Sequence, residues 1–390
     1  MQPIRTNIER LSMAGIYIHI PFCKTRCSYC DFYSTTRNDL KDKFVEVLCK
    51  ELEMRSGYLA DKRVETIYFG GGTPSQLSEQ DFKRIFKTIR QCFDTQHCGE
   101  VTLEANPDDL TEEYVLMLRE QPFDRLSIGI QTFHNETLKL LNRRHDAQTA
   151  IEAVGRCRQV GFDNFSIDLM YGLPGQTITR WQHDLAQALE LRPPHISAYH
   201  LIYEEGTPLY KMLRLQQVHE VDEESSVCFF STLMNTLSKA GYEHYEISNF
   251  CLPDKYSRHN TSYWQGIHYL GCGPSAHSFN GTTREWNTSS LQCYIEGIEK
   301  GKRAFEMEQL DLPTRYNEYI ITSLRTMWGI SIERLQKEFG EQFSACCRQM
   351  AEPYIEYGKL EERNGAWKLT REGLFISDGI MRDLLWVKEE

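Results

Sequence analysis

Three cysteines near the start of the chain carry its clearest chemical signal. Cys23, Cys27 and Cys30 are separated by three and then by two residues. Thiolates at such short spacing can hold three irons of a four-iron cluster, whose all-protein form uses four cysteines. Three ligands leave the fourth iron open to a small molecule that brings its own donor atoms. The triplet therefore predicts a [4Fe-4S] cluster with one iron available to a substrate or cofactor.

Two other interpretations of the triplet remain open on the residues alone. One is a zinc site with His19 as fourth ligand, although zinc sites usually pair C-x-x-C with a second, distant pair. No second pair lies near such a spacing in the sequence. The other is a disulfide, which is disfavoured because nothing in the sequence indicates secretion. Ligand spacing makes the cluster the preferred interpretation.

Length, charge and cysteine usage narrow the class of protein. A chain of 390 residues is expected to form one large domain and a smaller one. Its net charge of −11 provides no basic field that would attract nucleic acid or anionic lipid. Residues 1–13 lack the apolar region of a signal peptide, and no uncharged run is long enough to span a membrane. We therefore expect a cytoplasmic protein with reduced thiols, no transmembrane segment and no nucleic-acid partner.

Six short, β-rich apolar segments alternate with stretches of helical periodicity. Such alternation predicts an α/β fold with a parallel sheet and right-handed crossovers. Six repeats fit a partial (β/α)6 barrel, in which function lies at the carboxyl ends of the strands. The predicted strands are Gly15–Ile20, Glu65–Phe69, Glu100–Glu104, Arg125–Ile130, Asn164–Leu169 and His195–Ile202. The predicted helices between them are Leu40–Tyr58, Glu79–Phe93, Thr111–Glu120, Asp146–Val160 and Ile178–Leu191.

Residues suited to ligand binding follow these strands. Gly70–Pro74 offers bare backbone after the second strand, where N–H groups can reach a carboxylate. Glu104 and Asp168 end the third and fifth strands, and Arg143 follows the fourth and could pair a carboxylate. Each short motif is weak alone. Their coincidence at one edge of one sheet predicts a shared site.

The motifs taken together resemble a known family. I-H-I-P-F-C-x3-C-x2-C, G-G-G-T-P, E-x-N-P, S-x-G-x-Q and D-L-M-Y-G-L-P resemble the radical S-adenosylmethionine (SAM) family of oxygen-independent coproporphyrinogen III dehydrogenases and their relatives. The resemblance covers nearly the whole chain. It implies a [4Fe-4S] cluster on the cysteine triplet whose open iron takes the amino and carboxylate groups of SAM. It also implies SAM contacts from Tyr17, Gly72, Thr73, Glu104, Gln131, Arg143 and Asp168.

One position departs from the dehydrogenase pattern. Those enzymes carry a further cysteine two residues after the third cluster ligand, where this chain has Phe32. The C-x-F-Y-S ending is instead similar to the HemW-type haem chaperones, which share the SAM machinery and are not thought to decarboxylate the porphyrinogen. The preferred expectation is a chaperone that binds haem and passes it to apo-haemoproteins, respiratory ones among the candidates. The alternative is oxidative decarboxylation of coproporphyrinogen III. A zinc-dependent nucleic-acid module would need a second ligand pair and a basic face, and neither is apparent.

The H-N-x-x-Y-W string that begins at His259 and Asn260 resembles the motif proposed for haem contact in HemW-type proteins. An imidazole can ligate haem iron axially. The rings of Tyr263 and Trp264 offer flat faces for a porphyrin, with polar groups for its rim. The alternative is a core corner in which the polar groups bond backbone and the aromatics pack beneath. His277, in the glycine-rich Gly271–Ser278, is a reserve ligand.

The last hundred residues are expected to form a smaller domain. Its helices and its Asn364-Gly365 hairpin turn resemble a winged helix, but many acidic residues argue against a phosphate-binding face. We expect a lid or docking domain, and the sequence is compatible with a homodimer. The predicted division is 1–210 for the barrel, 211–295 for an extension with the H-N-x-x-Y-W motif, and 296–390 for the winged-helix-like domain. The predicted elements are helices Thr314–Met327, Ile332–Phe339 and Phe343–Tyr357 and hairpin Leu360–Leu369.

Overall fold

The computed structural model describes residues 14–387, so the expectation about residues 1–13 lies outside the described part. Within it, six parallel strands lie side by side in sequence order. All six predicted strands are present, and the predicted α/β partial barrel is confirmed. Their carboxyl ends meet at one edge, as parallel pairing requires. The strands are β1 Ala14–Ile20, β2 Val64–Gly71, β3 Glu100–Ala105, β4 Arg125–Gln131, β5 Phe165–Tyr171 and β6 His195–His200.

Further short strands extend this sheet on both sides to twelve strands within residues 14–387. Beside β6 lies β8, which is antiparallel to it and carries β7. Beside β1 lies β9, which is parallel to it although it follows far later in the chain. Strands β10, β11 and β12 continue that side in antiparallel order. Their bounds are β7 Glu243–Glu246, β8 Asn249–Cys251, β9 Tyr269–Cys272, β10 His277–Phe279, β11 Thr283–Asn287 and β12 Phe305–Gln309.

Amphipathic helices cover the outer face of the barrel, and most begin at a capping side chain. Ser78 and Asp81, for example, bond each other's backbone N–H groups at the start of α2, which satisfies two donors that have no partner inside the helix. Buried Trp181 of α6 donates from Nε1 to the Phe229 carbonyl 3.0 Å away and so fixes α6 against α8. The helices are α1 Lys41–Met54, α2 Glu79–Cys92, α3 Glu112–Arg119, α4 Asn135–Leu140, α5 Ala147–Gln159, α6 Ile178–Glu190, α7 Pro208–Arg214, α8 Glu223–Lys239, α9 Arg258–Trp264 and α10 Leu291–Glu299.

The C-terminal helices and a small sheet pack around a second apolar core. Asn364 and Gly365 both have positive φ, at 55° and 73°, so the predicted hairpin turn has the left-handed conformation that suits this pair. Gly340 breaks α12 with φ 82° and ψ 180°, between the two helices predicted there. Among residues 14–387, no helix is both long and apolar enough to cross a membrane. The elements are α11 Leu312–Leu324, β13 Ile330–Ser331, α12 Ile332–Glu356, β14 Leu360–Arg363, β15 Ala366–Leu369, α13 Arg371–Leu374 and α14 Ser377–Asp383.

The charged stretch at residues 296–308, where the sequence predicts the start of the smaller domain, is structured. Residues 291–299 form α10, which packs on α1, and β12 pairs with β11. Every residue of β12 is exposed, because it is an edge strand with one free side. Charged residues are frequent both on such an edge strand and in linkers between domains. This similarity explains why the sequence predicts a domain boundary here. The large sheet therefore continues past residue 296, and the three-part division of the chain stays a prediction.

Candidate cofactor site and adjoining cavity

The loop that carries the three cysteines begins where β1 ends and is tied at its base. The Cys23 N–H donates to the Thr35 carbonyl at 2.9 Å, and the Thr35 N–H donates to the Pro21 carbonyl at 2.7 Å. The Thr73 hydroxyl lies 3.3 Å from the Cys23 Sγ, and Arg143 Nη1 lies 3.4 Å from the Cys27 Sγ. The loop thus presents its thiols toward the ends of the neighbouring strands.

The disulfide and zinc interpretations of the triplet do not fit this geometry. All three cysteines are free thiols. Their Sγ atoms do not all lie within 4.8 Å of one another, whereas a tetrahedral zinc would hold them about 3.8 Å apart. Both nitrogens of buried His19 are engaged, by the Tyr17 hydroxyl at 3.1 Å and the Tyr33 carbonyl at 2.9 Å. At least one pair of these Sγ atoms is therefore farther apart than a single tetrahedral zinc ion would hold them.

Asp109, which the sequence analysis missed, fastens the cysteine loop to the sheet. Its side chain is buried, and its carboxylate accepts from Lys24 Nζ in the loop at 2.8 Å. It also accepts from Ser75 Oγ at 2.9 Å, Gln76 Nε2 at 2.7 Å and Arg144 Nη2 at 3.1 Å. A carboxylate with this many donors holds several segments in one arrangement. The sequence feature that could have drawn attention to Asp109 is its position just after the E-x-N-P motif.

The glycine-rich end of β2 packs against the start of the cysteine loop. The Gly72 N–H donates to the Ile20 carbonyl at 2.8 Å. A Cβ at Gly72 would lie 2.8 Å from the carbonyl of Pro21, so no larger residue fits. Thr73, the next residue, is buried and reaches Cys23. The bare backbone at Gly72 therefore approaches the cysteine loop itself, and its predicted contact with a ligand stays a prediction.

Two acidic side chains lie inside the barrel near its carboxyl edge. Glu104 accepts from the Tyr68 hydroxyl at 2.7 Å and from the Gly71 N–H at 3.1 Å. Burial raises the pKa of Glu104 to about 7 and that of Asp168 to about 6. Asp168 is bonded by the Ser127 hydroxyl at 3.3 Å. Neither acid has an ion-pair partner among the described residues, so both are available to a cationic ligand.

Arg143 links the third and fourth strands to the cysteine loop. Its Nη2 donates to Asn106 Oδ1 at 2.7 Å, and the Asn106 amide donates to Thr73 Oγ1 at 3.3 Å. The Nε of Arg143 is buried without a hydrogen-bond partner among the described residues. Gln131 lies at the same edge and has positive φ, 73°, which is unusual for a residue with a side chain. The orphaned donor and the strained residue fit a site built to receive an anionic group.

Five of the seven residues predicted to contact SAM make side-chain contacts near the carboxyl edge of the barrel, namely Tyr17, Thr73, Glu104, Arg143 and Asp168. Tyr17 stacks on Tyr68, with ring centroids 6.2 Å apart, and Tyr68 bonds Glu104. Asn106, which was not among the seven, joins Thr73 to Arg143. Asp168 is held from β4 by Ser127.

A cavity of about 870 Å³ adjoins this edge. Its walls come from the cysteine loop, from the segment that runs through α9, β9 and β10, and from helices α11 and α12. This volume falls within the usual range for small-molecule and cofactor sites. We call it the aromatic cavity, after the rings of Tyr17, Phe32, Tyr33, Tyr263, Trp264 and Tyr269 that line it.

The H-N-x-x-Y-W motif forms α9, and its four marked residues have different surroundings. Tyr263 and Trp264 line the aromatic cavity, whereas His259 and Asn260 do not. His259 is fully buried, with Nδ1 2.8 Å from Thr66 Oγ1 and Nε2 2.8 Å from the Tyr263 hydroxyl. Burial lowers the pKa of His259 to about 3. Because both of its nitrogens are hydrogen-bonded and it is fully buried, His259 resembles the core residue of the alternative interpretation rather than a haem ligand.

Family models and a solved structure match both the barrel and the C-terminal part of this chain. The family model of the radical SAM superfamily matches residues 17–188, and that of the HemN C-terminal domain matches residues 310–376. The solved structure of coproporphyrinogen III oxidase (HemN) from Escherichia coli, a radical SAM enzyme, has a TM-score of 0.82 and 22% identity over 95% of this chain and 89% of that chain. That likeness shows the fold.

Curated relatives match almost end to end. The heme chaperone HemW of Bacillus subtilis is 32% identical over 371 residues, which cover 94% of this chain and 98% of the relative. The heme chaperone HemW of Lactococcus lactis is 32% identical over 370 residues, which cover 95% and 96%.

The partial barrel, with its three-cysteine loop at the carboxyl edge, defines a radical SAM protein. Within that class, the chain belongs to the HemW family, because relatives of that name match it over nearly their whole length.

Proposed function

We propose that this chain is a haem chaperone, which binds haem, a [4Fe-4S] cluster and SAM and delivers haem to apo-haemoproteins. Membership of the HemW family supports the proposal. The observation that carries it is the aromatic cavity, which joins Tyr263 and Trp264 to Tyr17 beside the cofactor site. A porphyrin is a flat apolar ring with two carboxylates at its rim. A cavity walled by aromatic faces and bordered by arginines suits both parts.

The cofactor site has the donor set that a cluster and SAM require. Cys23, Cys27 and Cys30 would hold three irons, and the bound cluster would supply electron-transfer chemistry next to SAM. Glu104 and Asp168 would accept hydrogen bonds from the amino group or the ribose hydroxyls of SAM. Arg143, with its unpartnered Nε, would face a carboxylate. Tyr17, Gly72, Thr73 and Gln131 complete the proposed contacts.

Trp264→Ala is expected to weaken haem binding to the full-length, reconstituted protein by about tenfold. The ring lines the cavity, and loss of one large buried side chain removes about 1.5–3 kcal/mol of apolar contact. Titration of wild type with haem, followed by absorbance, should saturate at about one haem per chain. Trp328→Ala is the matched control, because this tryptophan packs on Tyr245 and Tyr256 and does not line the cavity.

Equal haem affinity in Trp264→Ala and wild type would show that this ring is not part of the haem site.

The alternative function, decarboxylation of coproporphyrinogen III, is tested by a separate experiment. Phe32, which lines the cavity with 65% of its surface exposed, has no thiol to offer where the dehydrogenases carry cysteine. Coproporphyrinogen III with SAM and a reductant should therefore yield no protoporphyrinogen. Steady multiple-turnover formation of that product would overturn the chaperone proposal.

SAM affinity is expected to fall about tenfold when the pH is lowered from 8 to 6. Burial raises the pKa of Glu104 to about 7, so this carboxyl is mostly charged at pH 8 and mostly protonated at pH 6. The charged carboxylate is the stronger acceptor for the N–H and O–H groups of SAM, and binding must therefore displace the proton. Calorimetry at both pH values measures the change.

Glu104→Gln is the control for this pH dependence, because it keeps the shape and removes the titrating group. Its SAM affinity should be lower than that of wild type at pH 8 and should change less with pH. A wild-type affinity that is constant or rises toward pH 6 would contradict the assignment of Glu104 to the SAM site.

A further inference from the structure

The aromatic cavity contains a histidine better placed for iron than the one in the H-N-x-x-Y-W motif. His277 is exposed on β10, lines the cavity, and makes no side-chain hydrogen bond to any described residue. Its ring stacks on Trp286 of β11, with centroids 5.7 Å apart and planes 24° apart. The imidazole is thus oriented by a neighbouring ring while its nitrogens stay free.

The other histidines of this region are engaged or obstructed. His19 also lines the cavity, but both of its nitrogens are bonded, as are those of buried His259. His268 lines the cavity next to Gly281, where a Cβ would lie only 2.7 Å from its Nε2. The backbone of Gly281 therefore lies close to that nitrogen. Among the described histidines that line the cavity, His277 is the one that is exposed and makes no side-chain hydrogen bond.

An unpaired cation lies in another wall of the same cavity. Arg284 pairs with Glu318 at 2.6 Å, and Arg334 pairs with Glu338 at 2.9 Å. Arg315 of α11 lines the cavity, is half-buried, and has no ion pair or side-chain hydrogen bond with a described residue. A half-buried guanidinium without an anion is suited to a ligand carboxylate, which it can bind through two parallel hydrogen bonds.

These two residues lie on different walls of the cavity, which strand pairing and an ion pair connect. His277 lies two residues, about 7 Å, along β10 from Phe279, which pairs with Arg284 of β11. Arg284 reaches across to Glu318 of α11, and Arg315 is one helical turn before Glu318. A ligand that spans the cavity from β10 to α11 could meet both side chains.

We propose that His277 supplies the axial ligand to haem iron and that Arg315 pairs with a haem carboxylate. The assignment rests on the proposed function and gives a different role to His259, which positions the Tyr263 ring through its hydrogen bond. Burial, together with nearby Arg284, lowers the pKa of His277. The imidazole is therefore neutral at pH 7, as an iron ligand must be.

The test compares single variants of the full-length, reconstituted protein during titration with haem. His277→Ala should shift the Soret band and change the spin state of the iron, and added imidazole should restore the wild-type spectrum. His277→Met, which keeps a donor atom of another kind, should give a third spectrum. His259→Ala should leave the Soret position unchanged. Thermal unfolding of each variant checks that it is folded.

Arg315→Gln tests the second half of the proposal with haem dimethyl ester as the probe. The variant should bind haem at least about tenfold more weakly than wild type, since a charged hydrogen bond is lost. It should bind the ester, which has no free carboxylate, as wild type does. Arg371→Gln, on the outer face next to Ser231, is the matched control.

The outcomes separate this inference from the function on which it rests. If wild type binds one haem and the His277→Ala spectrum is unchanged, the ligand assignment is wrong and the chaperone proposal stands. If Arg315→Gln weakens haem and its ester equally, the carboxylate pairing is wrong. If wild type binds no haem, both the proposed function and this inference fall.

Discussion

Replacement of Cys23, Cys27 and Cys30 together by alanine is expected to abolish iron binding. Wild type should take up about four irons and four sulfides per chain on anaerobic reconstitution, as one cubane requires. The variant should take up none, because the loop then has no thiolate. Burial raises the pKa of Cys23 and that of Cys30, to about 11 for Cys30, so these thiols stay protonated until a metal displaces the proton. Iron and sulfide assays with absorption spectra measure the result.

A matched variant removes the same number of thiols elsewhere. Cys228 and Cys293 are exposed and Cys346 is half-buried, all outside the cysteine loop. Their joint replacement by alanine should leave the iron content unchanged. Iron retained by the loop variant, or stoichiometric zinc in purified wild type, would show that the triplet does not hold the proposed cluster.

Glu104→Ala is expected to weaken SAM binding by at least about tenfold while the cluster spectrum stays intact. Glu104 has two oxygens inside the barrel and no cationic partner among the described residues. A charged hydrogen bond to a ligand contributes roughly 1.5–3 kcal/mol, and 1.4 kcal/mol corresponds to a factor of ten. Calorimetry on anaerobically reconstituted protein at pH 8 gives the affinity.

Glu65 provides the control, because it lies at the opposite end of the neighbouring strand β2. Glu65→Ala should bind SAM as wild type does. If Glu104→Ala does so too, Glu104 is not part of the SAM site. Loss of the cluster spectrum in Glu104→Ala would instead mean that the residue supports the fold of the loop.

The barrel could be predicted from the sequence because its strands share one pattern of buried, largely apolar residues. Every residue of β4 is buried, and β1 is nearly so. Both strands carry leucine or isoleucine at every second position, which is a pattern typical of a β-strand. The C-terminal hairpin could be predicted because Asn364 and Gly365 suit the left-handed turn that the structure shows.

The added strands could not be predicted, for physical reasons. Strands β8 and β10 have three residues each, too few for periodicity to be visible. Strand β12 alternates Phe305 and Met307 with glutamates, a weak period-two signal on a strand whose residues are all exposed. The pairing of β9 with β1 joins distant parts of the chain, and no local pattern encodes such a contact.

At the site, the order of strands along the sequence predicted which residues lie near one another. It did not predict which hydrogen bonds those residues make. The carboxyl ends of parallel strands meet at one edge, so Glu104 and Asp168 could be placed near the cysteine loop in advance. The residue type of His259 gave no sign that Thr66 and Tyr263 would occupy its nitrogens. Asp109 was missed for the same reason, since its partners come from separate segments of the chain.

The pairing of β1 with β9 has a consequence for how the protein is made. Strand β1 leaves the ribosome early, but one of its two edges stays open until Tyr269–Cys272 has been synthesised. The N–H of Gly273, which follows, donates to Glu51 of α1 at 2.8 Å and joins the late segment to the early one. Contacts between such distant segments form slowly. The barrel edge that supports the cysteine loop is therefore completed only after most of the chain has emerged.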